Sequence, residues 1–182
     1  MKIYGWGKYP SVSGEFVTVE NENELINAIR KKNLIAFGNG RSYGDTALNE
    51  NTTLDMKRFD SIISFNNKNG VAVFESGVIL KKALQHFYPK GWFFRVIPGT
   101  QFVTIGGMVA SDIHGKNHSF EGSFKHTVEW FEIIDSSGKK KICSKSKNKE
   151  LFDWTFGGMG LTGVILKVAV RLRKIDTGYI NQ

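Results

Sequence analysis

The sequence predicts an α+β fold arranged as two lobes, and three observations lead there. Strand patterns do not alternate regularly with long helices, as a doubly wound parallel sheet would require. Glycine occurs 20 times and proline three times, a balance that favours tight bends and close approach of main chain over flexible linkers. With 41% hydrophobic and 23% charged residues, a chain of this length suits one globular domain or two small lobes sharing a core.

The first lobe covers residues 1–65. Glu15-Phe16-Val17-Thr18-Val19 alternates as a strand does. Asn21 or Asn23 then caps a helix carrying Leu25, Ile26, Ala28 and Ile29 on one face. Leu34–Phe37 is a short buried strand running into glycine, and Thr53–Met56 and Ser61–Ser64 are further strands. The second lobe covers residues 66–182. The turn Asn66–Gly70 leads into the strand Val71–Glu75. Val78–Tyr88 is a helix with Leu80, Ala83, Leu84 and Phe87 inward, stopped by Pro89-Lys90-Gly91. Glu129–Ile134 and Lys140–Ser144 flank Asp135-Ser136-Ser137-Gly138, a hairpin signal. A short helix over Glu150–Phe156 and a strand over Val164–Leu172 complete the lobe.

No stretch reaches the ~18 apolar residues of a membrane span. The start Met1–Trp6 has no apolar signal core, so a cytoplasmic location is expected, with at most peripheral contact at the inner membrane face. Cys143 is the single cysteine, which excludes a disulfide framework. Much of the +8 net charge lies in Lys139, Lys140, Lys141, Lys145, Lys147 and Lys149. This run reads as a solvated hairpin tip. An attraction to anionic lipid is the alternative, while nucleic acid is not expected because no aromatic residues interleave the lysines.

Three glycine loops carry the chemistry. Gly38-Asn39-Gly40-Arg41-Ser42-Tyr43-Gly44 follows a strand but opens no long helix, so it is not a dinucleotide fingerprint. Gly158-Met159-Gly160-Leu161-Thr162-Gly163 fits GxGxxG literally, yet a strand follows it where a helix is needed. Such loops instead present main-chain N–H groups to an anion, with Arg41 adding charge. In the middle loop, Thr104 is expected to cap a helical turn and leave the amides of Gly106 and Gly107 free for a phosphate. Asp112-Ile113-His114-Gly115-Lys116-Asn117-His118 follows. His114 and His118 are spaced as on a zinc helix, but Gly115 and Asn117 spoil that helix, so no metal is expected. Acid–base or cofactor-orienting roles suit His114 and Lys116 better.

Together these stretches resemble the FAD-binding domain of the vanillyl-alcohol oxidase (PCMH-type) flavoprotein superfamily. The likeness runs through Gly5-Trp6-Gly7, Gly40–Asp45, Pro98-Gly99-Thr100, Val103–Gly107, Asp112–His118, Gly122-Ser123-Phe124 and Gly160–Gly163. The run Asp112–His118 is similar to the branch that oxidises a polyprenyl-phosphoryl ribose. The resemblance implies FAD lying between two lobes. It implies cofactor contacts from Ala36, Phe37, Gly38, Asn39, Gly40, Arg41, Ser42, Tyr43, Gly44, Asp45 and Thr46. Further contacts are implied from Gly99, Thr104, Ile105, Gly106, Gly107, Ser111, Asp112, Ile113, His114 and Ile165, with His114 and Lys116 facing the substrate. Many relatives tether FAD through a His where this chain has Arg41, so non-covalent FAD is expected. The resemblance further implies oxidation of a secondary sugar hydroxyl at C2 of a lipid-linked ribose, with an aldonolactone or alditol as the alternative. A separate reductase is an expected partner. The family carries a substrate domain beyond this point, so the chain is expected to be incomplete for catalysis.

Overall fold

The computed structural model describes residues 2–178. A hairpin opens it, with β1 (Lys2–Tyr4) antiparallel to β2 (Ser11–Ser13). Next come β3 (Glu15–Thr18), α1 (Glu22–Lys31), β4 (Leu34–Phe37) and β5 (Thr52–Asp55). These strands form a parallel three-stranded sheet in the order β3-β5-β4. The central β5 is buried along its whole length. Helix α1 starts where the sequence places it: Asn21 accepts from the Glu24 amide at 3.0 Å, and Glu24 answers the Glu20 amide at 2.9 Å. Glu22 and Glu24 in its first turn and Arg30 and Lys31 in its last suit the helix dipole. Leu25 and Ile29, one turn apart, are its buried face.

The larger sheet is antiparallel. It is built from β6 (Ile62–Asn66) and β7 (Val71–Glu75), then β9 (Val128–Ile134), β10 (Lys140–Ser144) and β11 (Val164–Arg171), in the order β10-β9-β11-β7-β6. Between β7 and β9 lie α2 (Leu80–Phe87), the two-residue β8 (Trp92–Phe93), α3 (Ile105–Ala110) and α4 (His118–Glu121). Helix α5 (Lys149–Thr155) links β10 to β11, and β12 (Arg173–Lys174) pairs with β8. Helix α2 begins two residues later than its hydrophobic pattern suggests, and Gly91, at φ 76°, ends the short 3-10 turn that follows it.

Two apolar cores result. The main one packs Leu80, Phe87, Ile105 and Met108 against Phe74, Phe131 and Val168 of the large sheet. The smaller one joins Leu25, Ile29 and Leu54 to Ile134, Val164 and Leu166. The large sheet therefore completes the core of the small one. Strand β6 spans residues 62–66 and belongs to the large sheet, so the expected boundary at residue 65 falls inside a strand. The hydrophobic pattern marks β6 as a strand but does not reveal that its partner is β7. Among the described residues, no helix is long and apolar enough to cross a membrane.

Candidate functional site

Three chain segments meet where the two sheets adjoin. The first leaves β4 at Gly38. A Cβ there would stand 2.4 Å from Thr104 Oγ1, so glycine is what allows this approach. Gly40 and Gly44 take φ near +60°, which glycine adopts without strain. Among the described residues, no main-chain amide from Asn39 to Tyr43 donates a hydrogen bond. The loop is braced from outside: Asn39 Nδ2 donates to Phe102 O at 2.8 Å, and the Trp6 amide to Ser42 O at 2.9 Å. Arg41 lies between the Trp6 and Phe102 rings, its guanidinium carbon 5.0 and 5.9 Å from their centres. Its Nε is buried and has no partner.

The second segment is α3. Thr104 caps it as expected, its Oγ1 accepting from the Gly107 amide at 3.2 Å. That bond, however, occupies an amide expected to be free. The Gly106 amide is occupied as well, donating to Ser76 O at 2.8 Å, and the Ile105 amide donates to Val78 O at 2.9 Å. The expectation of free amides at Gly106 and Gly107 is thus corrected: the cap and the end of β7 satisfy them. This segment gives the site a smooth wall rather than an anion hole.

The third segment is the turn before β11. Gly157, Met159, Gly160 and Gly163 all have positive φ, and the Met159 amide donates to Ala110 O at 2.9 Å, tying the turn to α3. A Cβ on Gly163 would lie 2.6 Å from Ile134 O, so the turn can close on β9 only as glycine.

These segments enclose a cavity of about 640 Å³, in the range of small-molecule and cofactor sites. A family model described as an FAD binding domain matches residues 15–144. The chain belongs to this FAD-binding family. Decaprenylphosphoryl-beta-D-ribose oxidase of Mycolicibacterium smegmatis is 31% identical over 98% of this chain and 40% of the relative. D-lactate dehydrogenase of Archaeoglobus fulgidus is 27% identical, over 90% of this chain and 40% of the relative. L-gulonolactone oxidase of Bos taurus is 24% identical, over 94% and 40%. The chain spans about two-fifths of the length of these relatives.

The cavity fits FAD, the cofactor of the family. The loop offers unpaired amides and the Arg41 cation for a diphosphate, while α3 and Ile165 offer flat, largely apolar surface. Of the residues expected at an FAD-binding site, Ala36, Phe37, Gly38, Asn39, Gly40, Arg41, Ser42, Tyr43 and Thr46 line it. So do Gly99, Thr104, Gly106, Gly107, Ser111, Ile113 and Ile165. Gly44, Asp45, Ile105, Asp112, His114 and Lys116 lie outside the lining. The reasons are local. Ile105 points into the main core and is fully buried. Asp112, at φ 41°, turns its Oδ1 away to accept from the Lys125 amide at 3.0 Å. Gly44 and Asp45 are exposed on a turn closed by the Leu48 amide donating to Asp45 O.

His114 and Lys116 are exposed beside the cavity. Their segment is pinned: His114 bridges to Ser123, Asn117 Nδ2 donates to Arg95 O at 2.9 Å, and a Cβ on Gly115 would lie 2.8 Å from Ile97 O. The rings of His114 and His118 are 6.0 Å apart. Among the described residues, no three His, Cys, Asp or Glu side chains gather as a metal site.

The lining also includes Met56 and Ser76, which the sequence does not single out, together with Trp6 from a stretch that carries the resemblance, and from the third glycine loop expected to carry the chemistry Met159, Gly160 and Gly163. For the last three the signal is the cluster of glycines before a strand. For Ser76 it is a small polar residue followed by Gly77 at a strand end. For Trp6 it is the Gly5-Trp6-Gly7 stretch, while Met56 carries no local signal, because only the fold brings it to the wall.

Proposed function

We propose that this chain is the FAD-binding part of a flavin oxidoreductase that oxidises a secondary sugar hydroxyl, at C2 of a polyprenyl-phosphoryl ribose. The observation that carries the reading is the cavity between the two sheets, with its open amides and Arg41, flanked by the exposed His114–Lys116 step. Likeness to the M. smegmatis relative along 98% of the chain supports the substrate class. When bound, FAD would supply the redox chemistry, a two-electron oxidation of the substrate by hydride transfer.

The chain's own residues do the rest. The Asn39–Tyr43 amides and Arg41 hold the diphosphate. The glycine-lined walls keep water from the buried part of the cofactor. His114 takes the proton of the reacting hydroxyl at an imidazole nitrogen, and Lys116 pairs with the substrate phosphate. Both roles draw support from their neighbours Ser111 and Ile113, which line the cavity. Arg41 offers no imidazole for a tether, so FAD is held non-covalently.

Purified protein should show flavin absorption, and acid precipitation should leave a colourless pellet and a yellow supernatant. A pellet that stays yellow contradicts the non-covalent reading, and protein that neither carries nor takes up FAD contradicts the site itself. The likeness to L-gulonolactone oxidase keeps an aldonolactone as the second reading. Faster turnover of an aldonolactone than of a prenyl-phosphoryl ribose, by the protein with its substrate-binding part, would decide for it.

A further inference from the structure

Ser76 follows directly on β7 and forms part of the cavity wall. It is 3% exposed, and its Oγ is buried without a hydrogen-bond partner. Its main chain is fully engaged: the amide donates to Leu166 O at 2.9 Å and the carbonyl accepts from Gly106 at 2.8 Å. A Cβ on Gly106 would lie 2.8 Å from Ser76 Cβ, so the helix is packed hard against this residue. The backbone therefore cannot carry the hydroxyl out to water. A buried hydroxyl with no partner is costly, and native proteins pair such groups. The amides of Ile105, Gly106 and Gly107 are already bonded, so none of them is free to pair with this hydroxyl.

We propose that Ser76 Oγ hydrogen-bonds a polar atom of bound FAD, making Ser76 a cofactor-positioning residue of the cavity wall. The inference rests on the reading of the cavity as the FAD site. It gives a split in sign that a structural serine would not give. The hydroxyl is a burden without ligand and an asset with it.

The test is Ser76→Ala, measured by flavin fluorescence titration with FAD and by the thermal midpoint without flavin. FAD should bind about 3- to 10-fold more weakly, the worth of one hydrogen bond. The midpoint without flavin should stay the same or rise. Titrations with riboflavin and with ADP locate the bond: a loss confined to riboflavin places it on the flavin half, and a loss confined to ADP places it on the other. Unchanged FAD affinity overturns the proposal. So does a midpoint without flavin that falls along with the affinity, because Ser76 would then serve the wall itself. Failure of the unsubstituted protein to bind FAD would instead overturn the reading of the cavity.

Discussion

The guanidinium of Arg41 stands 5.0 Å from the centre of the Trp6 ring, so the opening hairpin holds the cation of the Gly38–Gly44 loop in place. Trp6 adds a main-chain bond to Ser42 and thus fixes both the loop's path and its charge. Arg41→Met should weaken FAD binding about tenfold or more, because it removes a charged donor. Arg41→Lys should fall between, since an ammonium keeps the charge but loses the planar stack. Trp6→Ala should cost about threefold through the lost cation–π contact. Fluorescence titration ranks all three, and equal affinities for Arg41→Met and the unsubstituted protein would remove Arg41 from the site.

Thr104 serves two elements at once, capping α3 and filling the space over Gly38. Thr104→Val keeps the shape and deletes the acceptor. It should cost about 1 kcal/mol of stability in urea unfolding. Thr104→Ser should keep most of that stability.

Asp135 closes the β9–β10 hairpin. Its carboxyl is held well below the usual carboxylate range, first by the Ser137 hydroxyl at 2.6 Å, then by Lys141 and by the amides of Lys139 and Ser137. A lowered folded pKa means that the stabilisation is complete above the ordinary aspartate pKa of about 3.9 and fades as pH falls below it. Asp135→Ala should lower stability by about 1 kcal/mol near neutral pH. The gap between the two proteins should shrink steadily in titrations below about pH 4. A gap that persists undiminished in acid would show that the carboxylate charge contributes nothing.

Cys143 on β10 is wholly buried, and burial pushes its thiol up despite the opposing pull of Lys141. The folded protein should therefore resist a thiol-specific reagent at pH 8 and react with one equivalent once denatured. Rapid labelling of native protein would show that the strand opens.

Much of this site was legible before the fold was known. The Asn21 and Thr104 caps depend on residues three apart, and such local chemistry is written in the sequence itself. The loop from Gly38 to Gly44 announces itself by its glycines and its arginine. What escaped is long-range. The Gly106 amide is claimed by a carbonyl 30 residues upstream, at Ser76, and no local pattern predicts that pairing. Asp112 sits in a stretch dense in polar groups yet bonds the Lys125 amide, its positive φ turning it from the cavity. Strand β6 reads as a strand, but its allegiance to the large sheet depends on β7 and β11 being in place.

The shared small core sets a timetable for synthesis. Leu25, Ile29 and Leu54 leave the ribosome early, yet their remaining neighbours, Ile134, Val164 and Leu166, come far later. At elongation rates of about 5–20 residues per second, the nascent parallel sheet waits on the order of ten seconds with one apolar side uncovered. Chaperone engagement of the nascent chain should be strongest in that interval and should end when β11 emerges.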